Sequence, residues 1–255
     1  MGVVYLISVL ILFVAFILIK KTEKVIDILS FIGITIVIGL CYNAFICYVF
    51  TFLNIPIMLL SLAITNILLS IPMYVLIYKQ REIQKYKFEK MNAICIVIIF
   101  VFVLIVSYLN FGFPFNIKYE TGDPATHYLA AKTFAGEDKL LNLYEDEVYG
   151  SFATHKIGSY VNSGIIMKCL SNVIDEMDYY NVFIAFGIFI LFMTGCLMFN
   201  TLEKFTKSKG GKILALVVSI VYVFGYPLNS LLFGFEYMSL GILIVRNNFA
   251  YDILF

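Results

Sequence analysis

Ala93–Phe111 reads AICIVIIFVFVLIVSYLNF, nineteen residues without a charge. A helix of that length crosses a hydrocarbon core of about 30 Å. Comparable runs occur at Val3–Ile19, Ile28–Phe50, Ile57–Tyr78, Tyr180–Phe199 and Ile213–Phe233, the last interrupted by Gly225–Tyr226–Pro227. A shorter run, Met238–Val245, is cut off by Arg246, Asn247 and Asn248. Apolar residues make up 62% of the chain and charged ones 14%, against roughly a quarter charged in soluble domains. The expected fold is all-α, a polytopic transmembrane bundle of about six to seven spans with one extracytoplasmic helical loop. A net charge of +1 offers no field for nucleic acid; membrane lipids are the expected partners.

The charges orient this bundle. Val3–Ile19 is followed, not preceded, by Lys20, Lys21 and Lys24, which reads as a retained helix with its N-terminus outside rather than a secretory signal. The loops at 20–27, 79–92 and 201–212 hold 12 of the 18 Lys and Arg, and alternation of spans puts all three on one side. By the positive-inside rule that side is cytoplasmic. The chain then divides into an N-terminal four-span membrane region (1–112), an extracytoplasmic loop (113–179) and a C-terminal membrane region (180–255). The loop carries 10 of the 17 acids. The expected location is the cytoplasmic membrane, multi-pass. The last run fades at Arg246, and Asn247–Phe255 is too short for another span, so a fragment of a longer protein is expected.

Local features refine the picture. Thr51–Pro56 is an uncharged turn suited to a tight hairpin, and Pro72 predicts a kink or re-entry in the third span. With no Trp and 18 Tyr, interfacial anchoring falls to Tyr. Cys41, Cys47, Cys95 and Cys196 lie in apolar runs as small hydrophobes, and Cys169 lies in the outer loop. No spacing suggests a disulfide framework or a zinc site.

The outer loop opens with Tyr119–Glu137, YETGDPATHYLAAKTFAGE. Asp123 suits an N-cap, Pro124 the first helical position and Gly136 the stop. His127 follows Asp123 by four residues, on the same helical face. The pair can be a general base with its partner, or two ligands for a divalent metal. It can equally be a capping aspartate plus a histidine facing the headgroups. His155, the other histidine, lies in the same loop with Lys156, and Lys156 and Lys168 could meet a phosphate. Glu145–Asp146–Glu147 reads as a cation site or as solvated surface. From Tyr160 to Ile174, Val161, Ile165, Ile166, Leu170 and Val173 recur at helical spacing, predicting an amphipathic helix on the membrane or its neighbours. Glu236 and Arg246 flank the last apolar run. Ser208–Lys212, SKGGK, lacks the context of a phosphate loop.

The order of these pieces resembles the first outer loop of the GT-C integral-membrane glycosyltransferases. Gly122, Asp123, His127, Ala130, Ala131 and Gly136 match that loop's Gly-Asp step and short Ala-containing helix, and KIGSYVNSGIIMKCL resembles the following surface helix. Pro124 stands where the family commonly has a second acid, and three spans precede the one feeding the loop. The resemblance implies transfer of a sugar from a lipid-phosphate donor on the extracytoplasmic face. Asp123 would act as the base or hold a metal, His127 would orient or co-ligate, and His155 and Lys156 would bind substrate. Two other readings stay open: a transporter or lipid-handling protein without chemistry, and an inactive, truncated relative.

Overall fold

The structure is a computed structural model that describes residues 1–112, 123–140, 157–175, 178–206, 208–225 and 227–228. Among them are eight helices: α1 (Gly2–Leu18), α2 (Ile28–Phe52), α3 (Leu59–Gln80), α4 (Lys90–Phe111), α5 (Asp123–Gly136), α6 (Ile157–Leu170), α7 (Tyr179–Glu203) and α8 (Lys209–Phe224). The all-α expectation holds, with one addition. Ile26–Asp27 (β1) and Tyr86–Lys87 (β2) form a two-residue parallel pair. Four helices, α2, α3, α4 and α7, are long and apolar enough to cross a membrane. Helix α1 is apolar but has 17 residues, about 26 Å at 1.5 Å per residue. Helix α8 covers the first part of the sixth apolar run; the rest of that run beyond 228, and the seventh run with Glu236 and Arg246, lie outside the described residues. Helix α3 passes unbroken through Pro72, so no re-entry occurs there; a membrane helix tolerates the lost N–H when its surroundings compensate.

The chain forms two compact units, each assembled from separate stretches. The first comprises residues 1–25, 38–85 and 126–182. In it α1 and α3 run side by side and parallel: Asn66 Nδ2 donates to Ser8 Oγ (3.0 Å), and Tyr74 OH donates to the Ile11 carbonyl (3.2 Å). The turn between α2 and α3 is set by Asn54 in the left-handed region (φ 55°). Ile55 N–H bonds to Phe50 O (2.8 Å) and Asn54 N–H to Thr51 O (3.1 Å). This is the paired 6→1 and 5→2 closure of a Schellman motif, with Asn in place of Gly. The expected tight hairpin turn is therefore built by one residue that accepts positive φ.

At the opposite end of the same unit a buried glutamine organises the first two basic loops. Gln84 is 2% exposed. Its Oε1 accepts from the backbone N–H of Lys21 (3.0 Å) and Thr22 (3.1 Å), and its Nε2 donates to Lys24 O (2.8 Å). Lys20 pairs with Glu23 at 2.6 Å and with Glu82. The stretches following α1 and α3 thus meet at one end of this unit.

The second unit comprises residues 26–37, 86–125 and 183–255. Asp27, 2% exposed, caps α2: Oδ2 accepts from Ser30 N–H (3.1 Å) and Ser30 Oγ (3.0 Å). Gly195 on α7 makes room for Ile99 of α4 and Val223 of α8, each 2.9 Å from where a Cβ would stand. Lys212, in the first turn of α8, donates to Glu89 (2.6 Å) and Asn92 Oδ1 (2.9 Å) and pairs with Glu203 (2.9 Å). The starts of α4 and α8 and the end of α7 therefore share one end of this unit.

Lys212 and Lys87 hold the Glu89 carboxyl down to about 2. A depressed carboxylate contributes stability above its unfolded value, about 4.5, and loses it as pH falls toward 2. The expected result is a melting temperature that declines over this window, with the decline smaller in Glu89→Gln. Thermal melts in detergent between pH 6 and pH 2.5 measure it; identical slopes in the two proteins would refute the ion-pair account.

Candidate functional site

The helix expected between Asp123 and Gly136 forms, with α5 running from Asp123 to Gly136. Asp123 and His127 stand four residues apart on it, one turn along one face. The side chain of Asp123 lies outside the described residues, as do His155, Lys156 and the Glu145–Asp146–Glu147 cluster. His127 is 2% exposed. Its side chain is enclosed rather than open to solvent.

Phe134, one face of α5 further along, anchors the helix. It is fully buried, edge-on to Tyr160 of α6 with ring centroids 5.8 Å apart. Gly164 of α6 allows this approach: a Cβ there would stand 2.5 Å from Phe134 Cδ1 and 2.9 Å from the Ala131 carbonyl oxygen. Gly2 of α1 similarly lies against the backbone of Cys169, whose carbonyl oxygen would be 2.3 Å from an added Cβ.

Lys168 has a different role from phosphate binding. Its ammonium donates to Ile57 O (3.0 Å) and to Glu137 O, lies 3.8 Å from Asp138 Oδ1, and sits 5.3 Å above the Phe134 ring. Its side chain is 9% exposed, and burial lowers its pKa despite the attraction of Asp138. With Leu140 N–H bonding to Thr51 Oγ1 (3.3 Å), it ties the end of α5 to the α2–α3 turn. The 51–57 turn, residues 137–140 and Lys168 are therefore neighbours.

Helix α6 is more enclosed than an amphipathic surface helix. It ends at Leu170, and Val173 beyond it is 79% exposed. Asn162 and Ser163 are buried alongside Val161 and Ile165. Asn162 is tolerated inside because its amide is engaged: Asn43 Nδ2 donates to its Oδ1 (3.1 Å), and its Nδ2 donates to Leu40 O (3.1 Å). Tyr5 OH donates to Asn43 Oδ1 (3.3 Å), and Tyr42 OH to Asn66 Oδ1 (2.9 Å). Tyr5, Ser8, Tyr42, Asn43, Asn66 and Asn162 thus form a seam linking α1, α2, α3 and α6. Interhelical bonds of this kind average about 0.6 kcal/mol in membranes. The seam's amides and hydroxyls are neutral at physiological pH, so they join helices without supplying a charge for ion coupling.

Among the described residues no three His, Cys, Asp or Glu side chains cluster as metal ligands do. Set against known protein families, curated proteins and solved structures, the chain matches none of them.

Proposed function

We propose that this chain is a GT-C-type membrane glycosyltransferase that transfers a sugar from a lipid-phosphate donor outside the cytoplasmic membrane. The supporting observation is α5, a short helix opening on Gly-Asp and ending at Gly136, with Asp123 and His127 one turn apart. Asp123 is the general base that takes the acceptor hydroxyl's proton as the sugar's anomeric carbon is attacked and the lipid phosphate departs. His127, 2% exposed, orients the base or co-ligates a divalent metal with it. In this reading α1 and α8 are spans too, the bundle has six to seven, and the N-terminus lies outside.

The test is transfer of labelled sugar from polyprenyl phosphate in membranes of cells carrying the native gene, the gene deleted, or Asp123→Asn. Transfer that is unchanged on deletion would overturn the reading.

Orientation has its own test. Cys169 is the only cysteine placed in the outer loop, and burial raises its thiol to about 11. Only the thiolate reacts, so an impermeant maleimide should label intact cells slowly, about tenfold faster per pH unit between 7 and 9. Cys169→Ser should abolish the signal. Labelling that requires permeabilisation would invert the topology.

A further inference from the structure

We infer that the C-terminal end of α3 carries a binding site for the phosphate headgroup of an anionic phospholipid, with one acyl chain lying along the helix. The residues Ile77, Tyr78, Lys79, Arg81, Glu82 and Ile83 surround an open hollow of about 590 Å³. Arg81 closes the helix in the left-handed region (φ 55°), its N–H capping Ile77 O at 3.2 Å. That reversal wraps the last turn and the following residues around one hollow instead of stringing them along the axis. The N–H also satisfies one of the carbonyls that would repel an anion at a helix C-terminus.

The hollow's charge is unbalanced in favour of an anion. Glu82 is committed to Lys20. Neither Lys79 nor Arg81 has an ion pair or a side-chain hydrogen bond among the described residues, and both are exposed. Two uncompensated cations, one a guanidinium suited to two phosphate oxygens at once, flank a mouth lined by exposed Tyr78 and Ile83. Basic pockets at helix ends on one membrane face recognise lipid headgroups in this way.

The apolar side of the site selects a lipid over a soluble phosphate. Ile64, Leu68, Ile71 and Val75 are all exposed, at 49%, 59%, 52% and 45%. Their spacing of four, three and four places them in one stripe on α3. The stripe is about 16 Å long, close to the depth of one leaflet, half of about 30 Å. Lys79 is four residues beyond Val75, at the stripe's end. A diacyl lipid whose chain follows the stripe brings its phosphate to Lys79 and Arg81. The site is independent of the sugar-transfer proposal.

The experiment titrates phosphatidylglycerol or phosphatidylcholine into the detergent-purified chain and reads bound lipid by native mass spectrometry. Each cation near a membrane surface is worth about fivefold in binding. One phosphatidylglycerol should be retained at least tenfold more tightly than phosphatidylcholine, and Lys79→Gln with Arg81→Gln should weaken it about thirtyfold. Lys79→Arg with Arg81→Lys should retain it, as should Lys204→Gln with Lys209→Gln on another loop. Equal retention of both lipids, or no loss in the double Gln variant, overturns the proposal. Displacement of the lipid by millimolar glycerol 3-phosphate overturns its lipid half, leaving a soluble-phosphate site.

Discussion

Asp123→Asn should leave the protein folded and in the membrane while lowering sugar transfer by about 10²–10⁴-fold, the usual worth of a general base. The substitution separates two roles of one side chain. As a cap, Asp is nearly equivalent to Asn, and losing the cap altogether costs about 0.5–2 kcal/mol. As a base, it needs an ionisable carboxylate, which Asn lacks. Helix content and expression should therefore match wild type while complementation of a deletion fails. Neutralising Glu145, Asp146 and Glu147 together controls for loss of outer negative charge and should be tolerated. His127→Ala is a less clean probe, because a side chain 2% exposed leaves a cavity when removed. Its smaller functional loss must be read per folded molecule. If Asp123→Asn complements as well as wild type, Asp123 is a cap and the transferase reading loses its residue.

Legibility from the sequence tracked how local each determinant is. The all-α architecture, the four long spans and the bounds of α5 were readable because apolar runs, Pro124 and Gly136 act on their own neighbours. Within one unit Gln84 joins the stretches that follow α1 and α3, and within the other Lys212 joins the starts of α4 and α8. What escaped depends on distant partners. Asn162 is buried because Asn43 meets it across 119 residues, so an apolar stripe could not mark the inner face of α6. Lys168 reads as a spare cation until Ile57 O, 111 residues away, occupies it. Gln84 sits in a loop rich in charge, and its burial follows from the Lys21 and Thr22 amides it accepts from. The β1–β2 pair escaped too, since two residues carry no period. For the site, the spacing of Asp123 and His127 was legible and the enclosure of His127 was not, because tertiary neighbours decide it.

Gly164→Ala should be among the most destabilising single-methyl additions to the described residues, and it bears directly on the helix that carries Asp123. In a helix interior Ala normally gains about 0.8–1 kcal/mol over Gly. At Gly164 the new Cβ would meet Phe134 Cδ1 at 2.5 Å and the Ala131 carbonyl at 2.9 Å. Phe134 is fully buried, and Ala131 O belongs to the α5 backbone. Overpacking of this kind costs about 1–3 kcal/mol, which exceeds the propensity gain, and Val should cost more than Ala. Gly39→Ala is the matched control: it is also helical, nothing lies within 4 Å of its added Cβ, and it should be neutral or slightly stabilising. Phe134→Leu shortens the obstructing side chain, so Gly164→Ala should cost less in that background than in wild type. The carbonyl clash remains, which keeps the rescue partial. Thermal unfolding of these variants in detergent reads these differences. Gly164→Ala as stable as Gly39→Ala would mean that α5 and α6 do not pack through this glycine, and the seating of the Asp123 helix on α6 would have to be abandoned.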